Sequence, residues 1–401
     1  MRIIFITSKL NFKTSGGSVD ETNLMMRALL DYGNEVTAVT VFSGLNKIDR
    51  PLPYKVIDKE EITSKRLLGI QWQAFKIFRK YAKNADIIHT DGHLLLYAAG
   101  LYRFLGGKAP VVLFFNRELM AWPLNSSDFL AGVTAKRGIF RRIKEKARWL
   151  IERYLMMPIV RYADYYTFTN PFLLQAYANF GLKTEGKSWV FCDPYDLDYT
   201  LKKNNISESF YETHNKRNGR VTLYYSSRMA PGKGFDLLIR AFTKVKNKDN
   251  FKLVLGGTGP EESLIKKMVR NLGLEQYTEF PGWVTREQLY EALKRADIYI
   301  MARWRTEITA MSLNESMAFG LPSIVPAGGA LEWVVGKSAL CFKQDDPDDL
   351  AKKIEDLGNN YDLRAELSRQ CFVRLHEENM DYKKTLPRLH QIIRNLVAGI
   401  S

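Results

Sequence analysis

The chain has 401 residues, 46% hydrophobic and 26% charged, which suits a folded protein with two cores of roughly 200 residues each and excludes a disordered chain. Lys and Arg outnumber Asp and Glu by 59 to 44, and the excess is uneven, since Glu61 to Leu150 holds 16 basic against 6 acidic residues. Such a surface suits anionic lipid, nucleic acid or an acidic glycan, and charge by itself does not choose among them.

Met1 to Thr7 is too short an apolar run for a signal peptide, and Leu94 to Leu105 is too short for a membrane span and is cut by Arg103. A cytoplasmic chain is expected. Cys192, Cys341 and Cys371 are odd in number and far apart, with no Cys-x-x-Cys spacing, which reads as ordinary thiols rather than a disulfide framework or a zinc site.

Taken in order, Arg2 to Ser8 predicts a strand, Gly16-Gly17 a glycine turn, and Ser18 to Glu21 a capping box that opens a helix running to Gly33. Glu35 to Phe42 is the next strand, so the chain starts as a parallel sheet whose first turn can approach a phosphate. Further strands are predicted at Tyr54–Ile57, Asp86–His89, Pro110–Phe115 and Asp164–Thr169. A second set follows at Val221–Ser226, Phe251–Gly256, Thr278–Pro281 and Asp297–Met301, again alternating with helices. The fold class is therefore α/β with two Rossmann-like doubly wound domains. The expected division is 1–199 and 200–383, with a polar linker between Tyr199 and Gly219 and a last helix over 384–401 that crosses back to the first domain.

Between Lys136 and Tyr154 an apolar face of Ile139, Phe140, Ile143, Ala147, Leu150, Ile151 and Tyr154 is flanked by Arg141, Arg142, Lys144, Lys146 and Arg148. Two readings stand: a stripe facing the core with a solvated charged back, or a helix lying on an anionic membrane surface. A second basic helix carries Lys76, Arg79, Lys80 and Lys83 beside Trp72, Phe75 and Phe78. Nucleic-acid binding has no helix-turn-helix, zinc or RNA-recognition signature to support it.

The chemistry concentrates in the second half. Arg228 and Lys233 lie five residues apart around a Pro-Gly turn that enters a helix, a pattern able to clamp a diphosphate. Gly257-Thr-Gly259-Pro260 and Gly282-Trp-Val284 end the next two strands, on the edge where ligands sit in open parallel sheets. Glu307 and Glu315 follow at a Glu-x7-Glu spacing, the first in a loop and the second in a helix that stops at Gly320. Both can face one ligand, although a surface acid plus a helix acid is the plain alternative. His89 and His93 with Asp91 between them have no third metal ligand in view, so a pair lining a pocket is favoured over a metal site.

In this order, Gly16-Gly17, Arg228 to Lys233, Gly257-Thr-Gly259-Pro260, Glu307-x7-Glu315 with Ala318-Phe-Gly320-Leu-Pro322, and Gly328-Gly329 resemble glycosyltransferase family 4, retaining enzymes of the GT-B fold. The resemblance spans almost the whole chain and is most specific from Val221 to about Ala351. It implies two domains facing across a cleft, a nucleotide-sugar (UDP-, GDP- or ADP-linked) on the C-terminal domain and a glycan or lipid-linked acceptor on the N-terminal one. Arg228 and Lys233 would bind the diphosphate, Glu307 the sugar and Glu315 the ribose. Val284 would meet the base, Met311 and Ser312 would sit near the phosphates and ribose, and Gly16, Gly17 and Gly257 would approach the donor. Asn116, Arg117, His89 and His93 would line the acceptor side. No metal and no cofactor is expected.

The chain departs from the family twice. Glu307-Ile308-Thr309-Ala310 stands where Glu-Gly-Phe-Gly is common, and Asn116 stands where a histidine often lies near the reacting carbon. Asparagine can position a hydroxyl but cannot take a proton, which implies that the leaving phosphate takes it on the same face. The alternative class is a catalytically silent protein that keeps the fold as a binding module.

Overall fold

The computed structural model describes residues 1–13, 18–117, 139–213, 219–302 and 311–400. They divide into two compact units, one of residues 1–13, 18–117, 139–195 and 378–400, the other of residues 196–213, 219–302 and 311–377.

The first unit is built on β1 (Arg2–Thr7), β2 (Glu35–Thr40), β3 (Lys55–Ile57), β4 (Ile87–Asp91), β5 (Val111–Phe115), β6 (Tyr165–Phe168) and β7 (Ser188–Val190), paired in parallel in the order β3-β2-β1-β4-β5-β6-β7. Every residue of β4 and β5 is buried, as are five of the six in β1. Helices cover both faces of such a sheet, so its strands read as unbroken apolar runs rather than alternating ones. The second unit holds β8 (Val221–Ser226), β9 (Phe251–Gly256), β10 (Thr278–Gly282), β11 (Ile298–Ile300), β12 (Ser323–Pro326) and β13 (Ala339–Phe342), parallel in the order β10-β9-β8-β11-β12-β13. The two doubly wound sheets are thus as expected. The strands β7 and β13, of three and four residues, were not among those expected from the sequence.

The chain enters the second unit at Asp196, and the expected linker is not one. Leu197–Asn204 and Glu208–Thr213 are helices of that unit, the first capped by the Asp196 carboxylate on the Tyr199 N–H at 3.1 Å. Tyr211 from the same polar run is buried and donates its hydroxyl to the Ala318 carbonyl at 2.8 Å. One deeply buried aromatic anchors a segment whose composition otherwise reads as solvated. Asp196 and Asp198 therefore begin a helix, and among the described residues no cluster of His, Cys, Asp or Glu has a metal-binding arrangement.

The last helix, Tyr382–Ala398, belongs to the first unit. Its Leu386, Leu389 and Ile393 complete a core with Val19, Met25, Met26 and Leu29 of the helix Ser18–Asp31 and with Phe191. His390 stacks on Tyr32 at 4.9 Å between ring centres and meets Asn34 Nδ2 at 3.2 Å.

The helix Ile139–Ile151 continues through a π turn, Glu152–Met156. Of the apolar face read from its sequence, Ile143 (60% exposed), Ala147, Leu150, Ile151 and Tyr154 (60%) are all exposed, so the core-stripe reading does not hold for them. The Leu67–Tyr81 helix shows the opposite outcome: Phe75 and Phe78 are buried while Trp72 stays exposed, and Lys80 pairs with Glu60 at 2.6 Å. Among the described residues none of the three cysteines is in a disulfide, and burial pushes the Cys371 thiol up to about 12.

Candidate functional site

In the second unit the strand order runs outward from β8 through β9 to β10, then resumes on the other side of β8 with β11. The chain therefore leaves adjacent strands β8 and β11 in opposite directions, which opens a crevice at their carboxyl ends. The loop after β8 carries Arg228 and Lys233. The segment after β11 leads to the helix Met311–Ala318, with Met311 and Ser312 in its first turn and Glu315 in its second. The crossover order thus sets the ends of β8 and β11 side by side, although they are more than seventy residues apart in the chain.

The loop after β8 is held from both sides. Ser227 N–H donates to the Gly256 carbonyl at 3.2 Å, and Met229 N–H to the Thr258 carbonyl at 2.9 Å. Gly257 N–H in turn donates to the Gly282 carbonyl at 2.7 Å, so the ends of β8, β9 and β10 form one hydrogen-bonded edge. Gly257, with φ of +109°, lies so close that a Cβ there would stand 1.9 Å from the Ser227 carbonyl oxygen. At the end of the loop Lys233 N–H closes a turn on the Ala230 carbonyl at 3.2 Å, and the Tyr225 hydroxyl holds the Lys233 carbonyl at 2.6 Å. This anchoring leaves the Arg228 side chain exposed and Lys233 half-buried, at the N-terminal end of the helix Phe235–Lys244. Cations beside free helix N–H groups make an anion site.

Glu315 is 8% exposed, and Arg286 Nη2 reaches its Oε1 at 3.4 Å. Arg286 is itself placed by a 3.0 Å hydrogen bond from Nε to the Tyr290 hydroxyl, at the start of a helix whose capping box joins Thr285 and Gln288. Sequence reasoning missed Arg286. The available signal was a cation in the first helical turn after Gly282-Trp-Val284, two residues beyond the position expected to meet a base. Val284 is half-buried and lines a groove of about 510 Å³ with Tyr224, Val254, Pro281, Gln288 and Ala292. Glu307 and Ala310, like Gly16 and Gly17, lie outside the described residues.

In the first unit the strand order reverses between β1 and β4, and the carboxyl edge there is polar. Asp91, at the end of β4, accepts the Thr7 hydroxyl and the Ser8 N–H, each at 2.9 Å. Asn116 follows β5 directly, and its Nδ2 donates to Glu21 Oε2 at 3.1 Å. Glu21 is therefore turned toward Asn116 rather than back on the helix start, which corrects the expected capping box. Burial pushes the Glu21 carboxyl well above its ordinary range, and the neighbouring Asp193 and Asp91 push it the same way. Arg117 is exposed, and its carbonyl accepts the Tyr177 hydroxyl at 3.1 Å.

The two histidines do not line one pocket together. His89 lies inside β4, 2% exposed, its ring 4.5 Å from Phe5 and 5.9 Å from Phe114. Burial takes its pKa down to about 3, so it is a neutral core residue and does not line an acceptor surface. His93 begins the helix Gly92–Phe104 and is also neutral, taken down to about 4 by burial. It borders a small cavity of about 70 Å³ with Lys65, Tyr97, Arg148 and Glu152.

Residues 207–371 match the family model described as glycosyl transferases group 1. Over 143 residues the chain is 32% identical to mannosylfructose-phosphate synthase of Agrobacterium fabrum, covering 33% of this chain and 31% of that protein. The chain spans between about a third and about half the length of the curated relatives it matches. Among solved structures, sucrose-phosphate synthase from Thermosynechococcus elongatus superposes with a TM-score of 0.74 at 17% identity, covering 100% of both chains. Anabaena HepE, solved with UDP and glucose, superposes with a TM-score of 0.68 at 15% identity over 98% of this chain and 100% of its own. With two parallel doubly wound sheets the chain has a GT-B fold, and the glycosyl transferases group 1 match lies on its second unit, over residues 207–371.

Proposed function

We propose that the protein transfers a sugar from a nucleotide diphosphate-sugar to a hydroxyl acceptor with retention of the anomeric configuration. The observation that carries this reading is the edge of β8, where Arg228 and Lys233 stand at a helix N-terminus one strand away from the segment that leads to Glu315. Two cations and a helix dipole neutralise a diphosphate, and a buried carboxylate accepts a ribose diol. HepE, with UDP and glucose bound, has the same fold, which supports a nucleotide-sugar as donor.

In the step itself the anomeric C–O bond to the diphosphate breaks, and the acceptor oxygen bonds to the same face of the sugar. The acceptor's proton passes to the departing phosphate oxygen. Asn116 has no basic atom to take that proton, and this favours the front-face route. The leaving charge is met by Arg228, Lys233 and backbone N–H groups, so no metal is called for.

A thermal-shift screen of UDP, GDP, ADP and their sugars tests the donor site. A ligand at about 100 times its dissociation constant stabilises by about 2.7 kcal/mol, so one nucleotide is expected to raise the melting temperature clearly. Turnover of that nucleotide-sugar with the anomeric configuration kept, undiminished by excess EDTA, is the expected result. Inversion would sink the mechanism, and no shift with any nucleotide would sink the donor site.

We also propose that the first unit rests on an anionic membrane surface. No helix among the described residues is long and apolar enough to cross a membrane. The helix Ile139–Ile151 and its extension expose Ile143, Leu150, Tyr154 and Leu155 among Lys144, Lys146 and Arg148, which is how an interfacial helix meets acidic headgroups. Co-sedimentation is expected with vesicles of phosphatidylcholine and phosphatidylglycerol, with release at high salt and loss in Ile143→Glu. Equal recovery on pure phosphatidylcholine would refute the electrostatic part.

A further inference from the structure

We infer that Arg286 is a positioning residue for the ribose of the donor: it fixes the Glu315 carboxylate, which receives the ribose diol; this rests on the donor reading proposed above. Arg286 opens the helix Arg286–Arg295, whose start is locked by the reciprocal bonds of Thr285 and Gln288. Its Nε donates to the Tyr290 hydroxyl at 3.0 Å and its Nη2 to Glu315 Oε1 at 3.4 Å. The guanidinium carbon lies 6.0 Å from the centre of the Tyr290 ring. Tyr290 is buried and packs on Phe319, with ring centres 5.2 Å apart. Phe319 directly follows the helix Met311–Ala318 that carries Glu315. The contacts close a circuit, in which a buried ring holds Arg286 and is itself seated on the end of the helix that bears the carboxylate.

The two partners are unequally placed, the Glu315 side chain being 11% exposed and that of Arg286 43%. A carboxylate at that depth needs a cation or donors to offset the water it has lost. An arginine so exposed gains the fold little by such a pair. The pairing therefore serves the carboxylate more than the stability of the domain. At 3.4 Å the contact is longer than the roughly 2.7–2.9 Å of a tight charge-assisted bond. A carboxylate has about four acceptor positions, so one such contact orients Glu315 without exhausting it. Two vicinal hydroxyls are donors at a spacing that suits its two oxygens. Arg286 then acts through Glu315, and its loss should be felt only by ligands that carry the ribose hydroxyls.

The test is calorimetric titration of the full chain with UDP, GDP and ADP, each beside its 2′,3′-dideoxy counterpart. For the natural protein one ribonucleotide is expected to bind about tenfold or more tighter than its dideoxy form. In Arg286→Ala that ribonucleotide should weaken about tenfold while the dideoxy form keeps its affinity, so the ratio falls toward one. Arg286→Lys should recover part of the ratio. The double variant with Glu315→Gln should lose no more than Glu315→Gln alone, because the two side chains act as a unit. Tyr290→Phe removes only the oxygen that holds Nε; it should lower the ratio roughly two- to tenfold, and it carries the test if Arg286→Ala fails to fold. An unchanged ratio in folded Arg286→Ala would overturn this role. Equal losses for both forms would overturn it as well, and would show Arg286 touching the diphosphate or the base itself. A natural protein that binds a nucleotide without preferring the ribose would also overturn it, while leaving the diphosphate clamp standing. Binding of none of the three nucleotides would overturn the donor reading, and the role of Arg286 with it.

Discussion

Arg228→Ala is expected to weaken nucleotide diphosphate binding by roughly 10- to 150-fold, with the melting temperature of the unliganded protein unchanged. The size follows from about 1.5–3 kcal/mol for a hydrogen bond to a charged partner, at 1.4 kcal/mol per factor of ten. The selectivity follows from position. The Arg228 side chain is exposed, while the backbone on either side is tied down by the bonds of Ser227 to Gly256 and of Met229 to Thr258. Removing the guanidinium therefore leaves the loop in place. Arg228→Lys should restore only part of the affinity, because a point charge replaces a planar fork. The double variant with Lys233→Ala should lose less than the sum of the two single losses, since both side chains address one diphosphate. Calorimetric titration with the nucleotide identified by the thermal screen measures all three, and wild-type affinity in Arg228→Ala would refute the clamp.

Gly257→Ala should act in the opposite way, through the fold. Its φ of +109° is a conformation that side chains rarely adopt, and the added Cβ would meet the Ser227 carbonyl oxygen at 1.9 Å. That neighbour is backbone and cannot swing aside, so the β8 and β9 loops must separate. Strain of about 1–3 kcal/mol and overpacking of about 1–3 kcal/mol add to a loss of about 2–6 kcal/mol. At about 2–4 °C per kcal/mol this lowers the melting temperature by roughly 4–24 °C. Gly273→Ala is the control: φ is +65° there, yet nothing lies within 4 Å of the added atom, so only the conformational part, about 1 kcal/mol, should appear. Equal melting temperatures for the two variants would show that the close approach of the loops is not what requires glycine at 257.

The parts of the fold legible in the sequence were those written locally. Unbroken apolar runs at Arg2–Thr7 and Val111–Phe115 specify buried parallel strands, and the alternation of strands with helices specifies doubly wound sheets. The return of the last helix was legible in part, because Leu386, Leu389 and Ile393 repeat at helical spacing, although their partner is not in that pattern. The linker was misread for the converse reason. KKNNISESFYETH looks solvated by composition, and the burial of Tyr211 against Ala318 depends on a residue more than a hundred positions away.

For the candidate site, the sequence by itself determined the turn chemistry: glycines at 232 and 257 where φ is positive, cations at 228 and 233 around a Pro-Gly turn, and an acid at 315 inside a helix. Only the tertiary structure decided which of these meet. Crossover order set Arg286 against Glu315, and it set Asn116 on Glu21 across 95 residues of chain. It also took His89 out of the site by placing it between Phe5 and Phe114. The physical reason is the same in each case. A side chain's type and spacing fix what bonds it can make, but burial and the neighbours supplied by distant strands decide its charge, its partner and whether a ligand can reach it.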